Sequence, residues 1–185
     1  MGYPKPLLRV GGETFVAHLA AAMLAVVARL TVVVGAHAAR VRAAIPNDSR
    51  IKVVDNPDWA LGQLSSIKAG IRARSPEASA LLIHLTDHPT VKAATFAAVV
   101  DTYRRSGKPI VIARHDGRRG HPVLFDGSLF KELLDAPEDQ GARVVVNADA
   151  SRVVYTDVND PGVLLDLDTP ADLARAGFES PPKDQ

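Results

Sequence analysis

The sequence predicts an α/β fold built on a mostly parallel sheet with helices on both faces. Three observations carry the prediction. Short apolar runs at residues 30–34, 51–54, 80–85, 109–113 and 153–158 read as buried strands. Segments with helical spacing separate most of them, as where Phe15, Leu19, Met23 and Val26 fall on one face. The alternation is that of βαβ units, whose crossovers leave successive strands parallel.

Composition bounds the rest. The chain has 185 residues, 46% of them hydrophobic, enough for one sizeable core. One domain over residues 1–177 is expected, with a Pro/Lys/Asp/Gln tail at 178–185 that reads as disordered. The 22 basic and 21 acidic residues give a net charge of +1, and no basic run exceeds an arginine pair. That pattern gives no support for nucleic-acid binding. With no cysteine, disulfides and thiolate metal sites are excluded. The most apolar region, residues 15–35, is interrupted by His18 and Arg29 and is a poor membrane span. No signal peptide opens the sequence, so a cytoplasmic protein without membrane or nucleic-acid partners is expected.

In chain order, Pro4 and Pro6 flank Lys5 in a stiff, non-helical arm that presents the lysine. Thr14 is placed to cap a helix running to about Arg29. A strand at 30–34, a short helix at 37–45 and a strand at 51–54 follow. Asn56-Pro57 then turns the chain toward a helix whose start carries Gln63, Ser65 and Ser66 beside Gly62. Side-chain donors and free N–H groups at a helix start can hold phosphate, ribose or a base edge, although serines there are also ordinary caps. Trp59 reads as a core or hinge packer.

The central stretch is ALLIHLTDHPTV, residues 80–91. It reads as a strand buried on both faces that stops at Thr86-Asp87-His88-Pro89, where the proline forces a turn. Asp87 thereby stands at the carboxyl end of a central strand, the edge where open α/β sheets bind ligands. A plain turn aspartate would also satisfy the tetrapeptide. A helix at 93–106 and a strand at 109–113 lead into residues 114–121, a loop with three arginines and two histidines that suggests anion handling; a solvated hairpin is the bland alternative. Short helices are expected at 128–134 and from about 139, then a strand at 153–158. Asp166 and Asp168 alternate with leucines, so in a strand they share one face and invite a divalent cation, with Asp87 as a third ligand. Oxygen ligands from separate strand ends suit Mg²⁺. Asp168 could instead cap a final helix beside Thr169-Pro170.

Taken together, MGYPKPLL, NPDWALGQLSSIKAG, LLIHLTDHPTV, GRRGHPVLF, DQGARVVV and VLLDLDTPADLARAG, in this order and spacing, resemble the MobA-like nucleotidyltransferases, specifically the branch of the molybdenum cofactor cytidylyltransferases. The likeness runs from Gly2 to about Ala176. Pro4-Lys5 resembles the cytidylyl branch rather than the guanylyl branch, which has Asp-Lys there. The resemblance implies a Rossmann-like three-layer sandwich of the nucleotide-diphospho-sugar transferase type. It implies Mg²⁺-dependent transfer of an NMP, CMP from CTP in this branch, onto a phosphorylated acceptor such as molybdopterin, with release of pyrophosphate. A molybdoenzyme or maturation factor is then an expected protein partner.

Carried over by position, Asp87 and Asp168 would hold Mg²⁺ with Asp166 nearby, and Lys5 would neutralise phosphate charge. Gln63, Ser65 and Ser66 would contact nucleotide or acceptor, and Arg119 with His121 would line the acceptor side. One departure stands out. Family members carry a strand and a glycine-rich loop, Leu-Ala-Ala-Gly-x-Ser-x-Arg, directly before Met-Gly-x-Pro-Lys. Neither is present, which predicts an interior gap in the sheet and weak or absent catalysis. A non-catalytic nucleotide- or cofactor-binding homologue is the alternative. Two other classes fit less well: the Asp-x-Asp-x-Thr motif of haloacid dehalogenase-like phosphatases lies near a domain start, whereas 16 residues follow Thr169 here, and Gly-x-Gly-x-x-Gly is missing after Val34.

Overall fold

The structure, a computed structural model, describes residues 3–178. The tail expected to be disordered lies outside them from residue 179 onward. In chain order the elements are β1 (Arg9–Val10), β2 (Glu13–Thr14), α1 (Phe15–Leu24), β3 (Leu30–Val34), α2 (Ala38–Ala44), β4 (Ile51–Asp55), α3 (Gln63–Ala73), β5 (Ala80–Ile83), α4 (Ala93–Ser106), β6 (Ile110–His115), β7 (Arg118–Asp126), α5 (Phe130–Asp135), α6 (Arg143–Asn147), β8 (Val153–Asp157) and α7 (Pro170–Arg175).

Local chemistry sets several of these boundaries. The Thr14 hydroxyl accepts from Ala17 N–H and starts α1, as its residue type predicts. The helix stops at Leu24, short of the expected Arg29, where the N–H groups of Val26 and Val27 both turn back to the Met23 carbonyl. Lys5 sits in a single 3-10 turn, Lys5–Leu7, rather than in the non-helical arm expected. Prolines at the first positions of a helical turn cost nothing, because the missing N–H groups have no partner there.

Alternation along the strands builds three layers. On β6, Ile110 and Ile112 face α3, α5 and α6, and Val111 and Ala113 face α1 and α4. On β5, Leu81 and Ile83 join the first face and Ala80 and Leu82 the second. The sheet is more mixed than the βαβ reading implies. Its four-stranded part runs β5-β7-β6-β8, with β5/β7 and β6/β7 antiparallel and β6/β8 parallel. The source of the difference is residues 114–121, which form the hairpin alternative rather than an open loop. Asp116 and Gly117 take φ 47° and 74°, the backbone a two-residue hairpin turn requires, and they fold β7 back along β6. Arg114 spends its guanidinium on both oxygens of Asp157.

The other parallel pair, β3 with β4, forms a separate two-stranded sheet. Between β3 and β5 lies a slot of about 730 Å³, walled by Val32 and Val33 on one side and Leu81 and Leu82 on the other, with Leu19 and Met23 of α1 and Ile67 and Gly70 of α3 above and below. This slot is the interior gap expected in the sheet.

Candidate active site

Asp87 follows β5 in a turn closed by His88 N–H donating to the Leu85 carbonyl at 3.3 Å. Asp166 and Asp168 reach it from another part of the chain. They are not on a strand: a 3-10 turn at Pro161–Leu164 precedes them, and the segment after it is irregular. Leu167 is fully buried with Leu8, Phe15 and Leu173, and its N–H donates to the Asp87 carbonyl at 3.1 Å. One buried leucine therefore points both neighbouring carboxylates outward, so the shared face survives without a ladder. Thr169 caps α7 in a reciprocal capping box with Asp172, which leaves Asp168 free of that task.

Two close backbone contacts fix the floor. A Cβ at Gly120 would lie 2.0 Å from the Val163 carbonyl oxygen, and one at Gly162 would lie 2.8 Å from Thr90 Oγ1. Beside them, buried Asp160 accepts from Thr95 Oγ1 at 2.6 Å, Lys92 N–H at 2.9 Å and Gly162 N–H at 3.1 Å, tying the start of α4 to the turn that leads to Asp166.

One carboxylate oxygen from each of Asp87, Asp166 and Asp168 lies within 4.8 Å of the others. Lys5 Nζ is hydrogen-bonded to Asp168 and stands 3.8 Å from Asp87. That ion pair holds the Asp168 carboxyl below the usual range. Asp166 is pushed the other way, by partial desolvation and then by the charges of Asp87 and Asp168. An all-oxygen donor set with a carboxylate raised by its neighbours fits a hard divalent cation such as Mg²⁺ or Mn²⁺.

Other predicted residues fall in different places. Ser65 is buried: it donates to the Gly62 carbonyl at 2.7 Å and accepts from Asn56 Nδ2 at 2.8 Å, so it ties β4 to α3 and is closed to a ligand. Ser66 also accepts from Asn56, at 3.1 Å, and lines the slot with Gln63 and Thr86. Trp59 is 50% exposed and packs its Cβ over Gly35, where any side chain would clash; it is no core residue. Arg119 lies on the exposed start of β7, with Asn147 Oδ1 at 3.4 Å. His121 turns inward, its ring 5.3 Å from that of His88 and 6.4 Å from that of His84.

Sequence reasoning missed His84 under the cluster and named His121 only for the acceptor side. Burial pushes His84 down to about 3 and His121 down to about 4, so both stay neutral at pH 7. His84 packs edge-on against Phe96 at 4.9 Å. The available signal was a histidine in an otherwise apolar strand, with a second one four residues later.

Fold and site together define an α/β protein that gathers three carboxylates and a lysine beside the carboxyl end of a strand, the edge at which such sheets take up ligands. The chain belongs to the MobA-like NTP transferase domain family, whose model matches residues 1–153. It is 28% identical over 149 residues to the molybdenum cofactor cytidylyltransferase of Escherichia coli K12, a match spanning 80% of this chain and 73% of that protein. It is 29% identical over 184 residues to nicotine blue oxidoreductase of Paenarthrobacter nicotinovorans, spanning 93% and 87%. Among solved structures, Rv0371c of Mycobacterium tuberculosis H37Rv superposes with a TM-score of 0.76 at 28% identity, covering 95% of this chain and 90% of that one. The same protein in complex with manganese gives a TM-score of 0.70, with 93% and 90% covered. Among the described residues, no helix is long and apolar enough to cross a membrane.

Proposed function

We propose that the chain is built for Mg²⁺-dependent nucleotidyl transfer, moving CMP from CTP onto a phosphorylated small-molecule acceptor of the molybdopterin type in the cytoplasm. The observation that carries this reading is the gathering of Asp87, Asp166 and Asp168 within 4.8 Å, spanned by Lys5. The likeness to molybdenum cofactor cytidylyltransferase supports the choice of base and acceptor.

In this reading an acceptor phosphate oxygen attacks the α-phosphorus of the nucleotide, the bond to pyrophosphate breaks, and the protein contributes position and charge rather than a covalent nucleophile. Asp87 and Asp168, with Asp166 beside them, would hold the cation, whose charge offsets that of the phosphates. Lys5, released from Asp168, turns to the phosphate bridging nucleotide and acceptor. Gln63 and Ser66 meet the nucleotide at the mouth of the slot, and Arg119 with His121 marks the acceptor side. The slot is where the additional strand implied by the resemblance would fit, bringing a glycine-rich loop to the triphosphate.

A second reading, a nucleotide- or cofactor-binding homologue without catalysis, is favoured by one observation, the open slot beside the cluster. The relative named an oxidoreductase adds a third arm to the test. Thermal-shift series with Mg²⁺ and CTP, GTP or ATP, and with NADPH alone, separate nucleotide from dinucleotide binding, and pyrophosphate release from CTP on adding a molybdopterin-type acceptor separates transfer from binding without catalysis. A ligand at 100 times its dissociation constant adds roughly 2.7 kcal/mol, about 5 to 10 °C at this size. A shift with CTP and Mg²⁺ only is expected; a shift with NADPH and none with a triphosphate would overturn the proposal.

A further inference from the structure

The acid cluster has a back as well as a front. Asp87 directs Oδ2 toward Lys5, which is also bonded to Asp168. Its Oδ1 is buried and has no hydrogen-bond partner among the described residues. A buried carboxylate oxygen in that condition has lost water and gained no replacement, so a donor within reach matters. His88 Nε2 is 4.0 Å away.

His88 is placed to be that donor. It is only 7% exposed, and its backbone is held at both ends: the N–H by the Leu85 carbonyl and the carbonyl by His84 Nε2–H at 3.0 Å. Its ring is backed by that of His121 at 5.3 Å. His84 has committed Nε2 to that carbonyl and cannot serve Asp87 with it.

We propose that His88 is a positioning residue for Asp87, donating Nε2–H to Oδ1 so that Oδ2 alone is offered to the cation. The proposal rests on the metal reading of the cluster. Moving from 4.0 Å to a hydrogen bond takes a shift of about 1 Å, within the reach of one carboxylate rotation. A ligand tied from behind presents one oxygen in one direction, and partners of this kind typically govern metal affinity or activity by about 10- to 100-fold.

The test uses the full chain and Mn²⁺, with free ion followed by electron paramagnetic resonance. His88→Leu keeps bulk without a donor, and His88→Gln places an amide nitrogen near the position of Nε2. Mn²⁺ affinity is expected to fall about 10- to 100-fold in His88→Leu and to stay within about threefold in His88→Gln. Equal affinity in wild type and His88→Leu, or the same loss in both variants at unchanged melting temperature, would overturn the role of His88. If His88→Leu fails to fold, His88→Gln and the ¹⁵N shifts of wild-type His88 decide: protonated Nε2 with bare Nδ1 supports the proposal, and the reverse tautomer overturns it. Wild-type chain that takes up no Mn²⁺, or Asp168→Asn that binds as wild type does, would instead sink the metal reading itself.

Discussion

The N–H of Leu167 donates to the carbonyl of Asp87 at 3.1 Å, across 80 residues of chain, and this bond registers the two halves of the acid cluster. Leu167 is fully buried, so its packing and the cluster's geometry are one property. Leu167→Ala is expected to cost about 2 to 5 kcal/mol, as for other buried leucines, and to lower the melting temperature by several degrees. Calorimetry measures the loss, and Mn²⁺ affinity should fall with it. Unchanged Mn²⁺ affinity in the folded variant would mean that the cluster does not depend on this anchor.

If the cluster holds a divalent cation as proposed, Lys5 would compete with it for the same carboxylates. Lys5→Met should therefore tighten Mn²⁺ binding severalfold while abolishing any nucleotidyl transfer, and Asp168→Asn should weaken both. Titration calorimetry with Mn²⁺, beside a pyrophosphate-release assay, separates the two signs. Weaker metal binding in Lys5→Met would contradict the competition.

Acid should destabilise the chain through its buried imidazoles. His84 titrates near 3 and His121 near 4 in the folded protein, against about 6.5 when unfolded. As pH falls below 6.5, the unfolded state takes up protons that the folded state refuses, so stability declines; above 6.5 neither group contributes. Each histidine adds a slope of about 1.4 kcal/mol per pH unit over this window. His84→Gln keeps a donor for the His88 carbonyl and should flatten the slope between pH 6 and 4 by roughly one proton's worth, read from urea melts across pH. An unchanged slope would show that His84 is not the acid-sensitive group.

Among the described residues, the slot between β3 and β5 leaves facing edges of both strands unpaired across it. Joining a valine-rich strand and a glycine-rich linker ahead of Gly2 should fill it, raise the melting temperature and slow amide exchange at residues 30–34 and 80–83. Exchange at unchanged rates in a folded fusion would show that the slot does not accept a strand.

How far the sequence reveals this molecule follows from which forces are local. The strands at 30–34 and 51–55, the helices at 63–73 and 93–106 and the Thr14 cap are written in periodicity and in single residue types, and they are legible. The aspartates and Lys5 were legible as a set, and the structure brings them together. The hairpin at 110–126 was obscured because its arginines and histidines outweighed the Asp116-Gly117 turn signal. Ser65 looked available because burial is set by Asn56, nine residues earlier, through a bond that no spacing rule announces. The neutral state of His84 and His121 depends on residues 84–88 packing against His121, so beyond the histidine in an apolar strand nothing local marks it.

Gly120 and Gly162 bring a final consequence. Each lets one stretch of main chain rest directly on another, Gly120 on Val163 and Gly162 on Thr90. No mutational path that adds even a methyl group at either codon can preserve the spacing beneath the acid cluster. Substitution is therefore tolerated outward, at exposed positions such as Trp59 and Arg119, while the main-chain floor beneath the acid cluster stays fixed.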